Sequence, residues 1–317
     1  MDLRQLRYFT QIVESGSLSK ASRQLFIAQP ALSQQLSKLE EEVGKPLLNR
    51  SARGVAPTEN GLALYHHARF MLRQLDQALS IARKASGAVQ GMVSIGLPST
   101  TLSAVGLPLV SRVRERFPNI LLNVVEGMSG HLAQMIRMGQ LDLAVLFTPD
   151  VAPDLGVEPL LEEELFVILP KHSKLVPQRR GTLTLAEAAA LPLILPTGSH
   201  GLRRRIAAEL ERRSLTAHVV AEIDSLSLLM DCVFDGMGAT IKPMAAVYSP
   251  GQRGRAWRTL SVSDATLSRR NYLYSLATER RSPAAVAVAA ELKATALDLM
   301  ASGRWEGVEP VSAAGLS

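Results

Sequence analysis

Residues 29–43 read QPALSQQLSKLEEEV, and this stretch decides how the N-terminal part of the chain folds. Leu32, Leu36, Leu39 and Val43 recur at intervals of four, three and four, the period of one buried helix stripe. Pro30 suits the first turn, where its missing N–H leaves no hydrogen bond unmade, and Gly44 suits the stop. The opposite face carries Gln29, Pro30, Ser33, Gln34 and Ser37 instead of the Lys and Glu of an ordinary solvated face. Amides and short hydroxyls near a helix N-terminus suit base edges. Gln bonds in bidentate fashion to adenine N6 and N7, and Ser donates or accepts at several bases.

Upstream, Leu3, Leu6, Phe9 and Val13 predict a helix that stops at Gly16. Ser17 or Ser19 caps a short second helix through Leu25, with Leu18, Ala21 and Leu25 inward. Three helices with a short break before the third outline a helix-turn-helix, whose last helix enters the major groove. Residues 45–57, with two prolines, Gly54, Arg50 and Arg53, read as a loop or small hairpin whose arginines meet phosphate. Downstream, Thr58 caps a long helix in which Tyr65, Ala68, Leu72, Leu75, Leu79 and Ala82 alternate at intervals of three and four. That stripe fits a helix packed on its own domain or, better, a second copy of itself.

Charge agrees with a polyanion partner. The chain of 317 residues has a net charge of +6, of which residues 1–90 hold +5. Cys232 is alone, which excludes an internal disulfide framework and a cysteine-rich metal site. The N-terminus lacks the pattern of a secretory signal, and no apolar run is long enough to span a bilayer. A cytoplasmic protein without membrane contact is expected.

From residue 91 to 301 strand-like and helix-like stretches alternate, which predicts a mostly parallel α/β sheet in two lobes. Strands are expected at Met92–Gly96, Leu121–Glu126, Leu141–Phe147, Leu165–Leu169, Leu193–Leu195, Val219–Ile223 and Ala239–Ile241. Thr184-Leu185-Ala186-Glu187 matches a capping box. Residues 302–317 have no periodicity and read as a flexible tail.

Leu3–Phe9, Gly16-Ser17-Leu18, Ala21, Leu25, Ala28–Ser33, Leu39-Glu40, Gly44, Arg50, Gly54, Pro57-Thr58 and Gly61 together form a specific signature. Through them, and along nearly its whole length, the chain resembles the LysR-type transcriptional regulators. The string Ile27–Gln35 is similar to the nitrogen assimilation control branch of that family. The resemblance implies a winged helix-turn-helix in residues 1–57 and a linker and dimerisation helix in 58–90. It implies a two-lobed effector domain of the type II periplasmic-binding-protein kind in 91–301, with lobe I about 91–162 and 269–301 and lobe II about 163–268. A homodimer through residues 58–87, a dimer of dimers on promoter DNA, and RNA polymerase as a candidate partner follow from the same resemblance. Gln29, Pro30, Ser33 and Gln34 match base-reading positions and Arg53 a wing residue near the minor groove. Many members carry Arg where this chain has Gln34, which shifts the expected base from guanine toward adenine. Leu48 also stands in place of the common wing Phe.

A two-lobed α/β domain binds small molecules in its cleft, where helix N-termini offer unpaired N–H groups to anions. Loops 98–101, 197–200 and 224–225 fit, and Ser99, Thr101, Thr197, Ser199 and His200 are the expected contacts of a small organic anion. Most of Arg203-Arg204-Arg205 reads as a solvated helix face, with one arginine able to reach an anion. No cofactor is implied, and an enzyme is not expected. The six histidines are scattered, and HExxH, GxxxxGK[ST] and GxSxG are all missing. An architectural or constitutive DNA-binding protein without an effector is the alternative.

Overall fold

Asp2 begins the first helix by accepting from Gln5 N–H while the Gln5 side chain accepts from Asp2 N–H, a reciprocal cap that ties down two open donors. In this computed structural model, which describes residues 1–51, 54–82, 89–149, 155–198, 200–277 and 281–311 (backbone alone at 73, 76, 77 and 80–82), α1 spans Leu3–Ser15. Helix α2 spans Leu18–Leu25 and α3 Gln29–Val43. Gly16 closes α1 at φ 63°, a left-handed conformation that costs glycine little. Leu6, Phe9, Ile12, Ala21, Leu32, Leu36 and Leu39 are buried, so the expected helix faces meet in one small core. Leu3 and Val43, expected inward, are exposed because each lies in a terminal turn that overhangs this core.

Residues 45–57 form a hairpin, with β1 Leu48–Ser51 antiparallel to β2 Gly54–Pro57. Glu40 of α3 accepts from Leu47 N–H and Leu48 N–H, and Val55 N–H donates to Gly16 O at 2.9 Å. The hairpin is therefore anchored to the helices from both sides. Helix α4, Glu59–Ala82, follows at once. Thr58 Oγ1 accepts from Gly61 N–H and donates to Pro46 O, and a Cβ on Gly61 would lie 1.8 Å from Leu47 O. Only glycine permits that approach. At about 1.5 Å per residue the 24 residues of α4 extend roughly 36 Å.

The chain divides into two compact units, Met1–Gly87 with Arg137–Gln140, and Ala88–Ile136 with Leu141–Ser317. In the second unit β3 Gly91–Leu97 runs parallel to β4 Ile120–Glu126 and to β5 Leu143–Leu146. Helix α5 is Ser99–Arg116 and α6 is Ser129–Arg137. Strand β6 is far longer than expected, Leu155–Pro170. It is followed by β7 Thr182–Leu183, α7 Leu185–Ala190, β8 Leu193–Leu195, α8 Gly201–Glu211 and β9 Val219–Glu222. Then come α9 Leu226–Phe234, β10 Thr240–Pro243, β11 Trp257–Val262, β12 Ser268–Leu276, α10 Pro283–Ala301 and β13 Val308–Glu309.

The large sheet has the order β4-β3-β5-β12-β6-β11-β7, with β10 and β13 also paired to β6. It is mixed, not mostly parallel. Strands β10, β11, β12 and β13 all pair antiparallel to β6. The alternation of strands and helices breaks down where the chain doubles back, and β11 and β12 lie there. One core gathers around β3, β5, α5 and α10, and a second around the end of β6, α7, α8 and β8. Strand β6 serves both, through Leu161 in the first and Leu165, Val167 and Leu169 in the second.

Residues 302–311 correct the expected flexible tail. Trp305 is 2% exposed in the first core, and Val308 and Glu309 pair with Glu163 and Glu162 of β6. A single large aromatic needs no periodicity to anchor a segment. Residues 312–317 lie outside the described ones. The only tryptophans, Trp257 and Trp305, both belong to the second unit, so their emission follows its unfolding alone. Trp305→Ala should lower the urea stability of that unit by about 3–5 kcal/mol, read from Trp257 emission. An unchanged midpoint would mean that this segment contributes nothing to the core.

Candidate functional site

The N-terminal end of α3 presents the polar face expected of it. Gln29, Pro30 and Gln34 are exposed, and Ser33 and Ser37 are half-buried beside them. Ser19 Oγ donates to Gln29 Oε1 at 2.9 Å, so α2 holds the Gln29 amide in place. Arg50 is exposed on β1, and Arg53 lies outside the described residues. One small unit thus carries amides and hydroxyls at a helix start and the exposed Arg50 on its hairpin.

The second unit contains a cleft between its two cores. A cavity of about 810 Å³ is lined by Met128 and Ser129, by Phe147, by His200–Leu202 with Arg204 and Arg205, and by Ser268–Arg270 and Tyr272. A recess of about 40 Å³ shares several of these walls and adds Ser99, Thr100, Asp224 and Lys242. Its floor is charged. Glu163 of β6 is 0% exposed and Arg269 of β12 6% exposed, and the strand register sets them opposite each other. Arg269 Nε donates to Glu163 Oε2 at 2.8 Å, and Nη2, 2.8 Å from the same oxygen in the ion pair, donates to Thr100 Oγ1 at 2.7 Å. The guanidinium lies 3.8 Å from the Phe147 ring centroid, and Asn271 Nδ2 donates to Glu163 at 3.0 Å.

Two further groups complete the recess. His200 caps α8, with Leu202 N–H donating to its Nδ1 at 3.2 Å. Burial first, then the nearby Lys242 and Arg269 charges, push the imidazole down to about 4, so it is neutral near pH 7. Lys242 lies in β10 and is 5% exposed. Burial and then Arg269 push its ammonium down to about 7, against the pull of Asp224.

Residues 86–297 match the LysR substrate binding domain family, and residues 3–62 match the bacterial regulatory helix-turn-helix protein, lysR family. The chain belongs to the LysR family. It is 38% identical over 258 residues to the nitrogen assimilation regulatory protein nac of Klebsiella aerogenes, covering 81% of this chain and 83% of that one. It is 37% identical over 250 residues to the nac protein of Escherichia coli strain K12, covering 78% and 80%. The full-length LysR-family regulator CbnR, solved in complex with its target DNA, superimposes with a TM-score of 0.67 at 18% identity, covering 93% of this chain and all of that one. This LysR-family protein is accordingly a DNA-binding transcriptional regulator with an effector-binding domain, and not an enzyme.

The family's small-molecule domain here gathers only part of the expected residue set. Ser99 and His200 line the recess. Thr101 does not. It is fully buried with Oγ1 on Asn271, and Thr100, one helical step away, takes the cleft-facing place. Thr197 uses its N–H and hydroxyl to hold the Asp224 carboxylate, at 3.0 to 3.1 Å, so its role is to position that loop. Ser199 lies outside the described residues. Of the arginine run, Arg204 and Arg205 line the cavity, and Arg205 donates to Ser268 O and Glu209.

Sequence reasoning missed Arg269, Glu163 and Lys242. A signal was available, because Glu162-Glu163-Glu164 and Arg269-Arg270 are complementary charge runs inside apolar strands. Glu163→Gln should leave Arg269 buried without its counter-charge and cost about 3–5 kcal/mol in tryptophan-monitored unfolding of the second unit. Adding Arg269→Met should recover most of that loss. If the double variant is no more stable than Glu163→Gln, the two side chains do not act as a pair.

Proposed function

We propose that this regulator reads promoter DNA with Gln29, Pro30, Ser33, Gln34 and Ser37 while Arg50 and Arg53 engage flanking phosphates. It acts as a homodimer joined through residues 58–87, assembled further as a dimer of dimers. A small organic anion held in the cleft modulates its action, and RNA polymerase is its partner at the promoter. Work on promoter DNA gives it a cytoplasmic location, and no described helix is long and apolar enough to cross a membrane.

The observation that carries the reading is the polar start of α3, where five residues free of Lys and Glu sit on a buried leucine stripe. The exposed Leu62, Met71 and Leu79 of α4 support pairing, since a single copy leaves this apolar surface in water. Leu79 is 43% exposed although it belongs to the regular stripe. The arginine-rich cavity supports an anionic effector. The likeness to the two nac proteins favours genes of nitrogen assimilation as targets.

Promoter fragments recovered by genome-wide binding should compete at least about 10³-fold better than random duplex at physiological salt. Equal competition at every salt concentration would make the protein an architectural DNA binder. On such a fragment Gln34→Ala or Ser33→Ala should cost about 1–3 kcal/mol and relax one base position. Arg50→Ala should weaken all sequences evenly and reduce the salt slope by about 1. Unchanged footprints for all three would remove the assignment of this face.

Pairing is tested by Leu72→Asp combined with Leu79→Asp. Sedimentation should give a species of half the mass or less, with promoter affinity reduced at least about 100-fold through the loss of two-site binding. A variant that keeps both its mass and its affinity would show that α4 is not the dimer helix.

A further inference from the structure

Lys242 is a buried amine that no side chain among the described residues pairs. Among the described residues no hydrogen bond or ion pair holds its Nζ, although the residue is 5% exposed and lines the recess. The neighbouring charges are already committed. Arg269 is bonded to Glu163 and Thr100, and Asp224 is held by Thr197. His200 uses Nδ1 as the cap of α8. A lysine buried this way is unfavourable unless something in the recess compensates its charge.

The space beside it has a definite size. The recess of about 40 Å³ holds little more than one carboxylate, a water occupying roughly 30 Å³. It shares Met128, Ser129, Phe147, His200, Leu202 and Arg269 with the cavity of about 810 Å³. Helix α5 begins beside it at Ser99 with no side chain capping the first turn, so N–H donors are open next to the lysine.

We propose that Lys242 is the charge partner of a small organic carboxylate whose head group occupies this recess and whose body extends into the larger cavity. The inference rests on the reading of the cleft as an effector site. It adds the ligand class and the residue that selects it. It also predicts a proton linkage. Burial pushes the Lys242 ammonium down to about 7, and the groups that face it are Arg269, Asp224, His200 and, behind Arg269, Glu163. A carboxylate favours the ammonium form, so binding above pH 7 takes up one proton, and affinity falls about tenfold for each further pH unit. Below pH 7 the lysine is already charged and affinity levels off. His200, pushed down to about 4, stays neutral through this window.

The experiment uses the full chain with sodium acetate as a head-group probe, acetamide as its neutral counterpart and sodium chloride as the ionic-strength control. Acetate should raise the melting temperature of the second unit beyond the chloride control, with a dissociation constant that is flat from pH 6 to 6.5 and rises about tenfold between pH 7.5 and 8.5. Acetamide should have no effect. Phenylacetate, with a body for the larger cavity, should bind more tightly than acetate. Lys242→Met and Lys242→Gln, which remove a buried charge and are expected to fold, should lose the acetate effect. An equal effect in the wild type and both variants, or a pH-independent one, overturns the proposal. The imidazole signal of His200 reports occupancy of the cleft by any probe. Movement with acetamide or phenylacetamide but not with the acids would leave an effector cleft standing and remove the carboxylate. No movement with any probe would remove both.

Discussion

The second unit depends on a single buried ion pair. Glu163 lies on β6, which serves both cores, and Arg269 on the antiparallel β12, and each finds the other only when the two strands pair in one register. A one-residue slip of either strand would turn its charge to the opposite face of the sheet from the other and leave both unpaired. Isolated buried charges are far more costly than a paired set, so the pair excludes wrong registers even if it adds little net stability. The arrangement is well satisfied on the Arg269 side, by Glu163, Thr100 and the Phe147 ring. It is less so on the acid, since Glu163 Oε1 has no hydrogen-bond partner.

From that pair the cleft follows. Arg269 holds the start of α5 through Thr100, which fixes where the first N–H groups of that helix lie. On the other strand, the neighbours of Glu163 bear the C-terminal segment, where Val308 and Glu309 pair with Glu163 and Glu162 and Trp305 fills the first core. The strand that crosses between the cores is thus bonded to the cleft floor and to the last described segment. A ligand alters such a domain only through contacts that differ between two arrangements of the lobes. Groups on β12, α5 and β10 around one recess meet that requirement, because a change in lobe separation alters their distances together.

The N-terminal unit was legible in the sequence because its information is local. Helix α3 is specified by Leu32, Leu36 and Leu39, by Pro30 at the start and Gly44 at the end, all within sixteen residues. The capping box at Thr184 is equally local, and it appeared where expected. The first half of β6, the strands β11 and β12 and the segment around Trp305 were not legible. Their identities depend on partners far away in the chain, Arg269 for Glu163 and β6 for β13. Ser99 and His200 could be found as helix starts, whereas Lys242 is made functional only by a fold that buries it. Thr101 was misplaced because a cap-like residue type does not say which way a helix is turned.

The same distinction between local and assembled order applies on the DNA face. Gln29 already accepts from Ser19, so its amide is oriented before any base arrives. A carbonyl oxygen has two lone pairs, and Oε1 can keep the Ser19 bond while it accepts from adenine N6 as Nε2 donates to N7. Little side-chain entropy remains to be lost there. Gln34 is exposed, and no hydrogen bond orients it among the described residues, so ordering a long side chain offsets part of its contact, up to about 1.5–2 kcal/mol. Two glutamines of identical chemistry therefore contribute unequally. On the proposed reading, the one that α2 holds in place would set the register on DNA, and Gln34, exposed and unheld, would have the freedom to adapt to different bases.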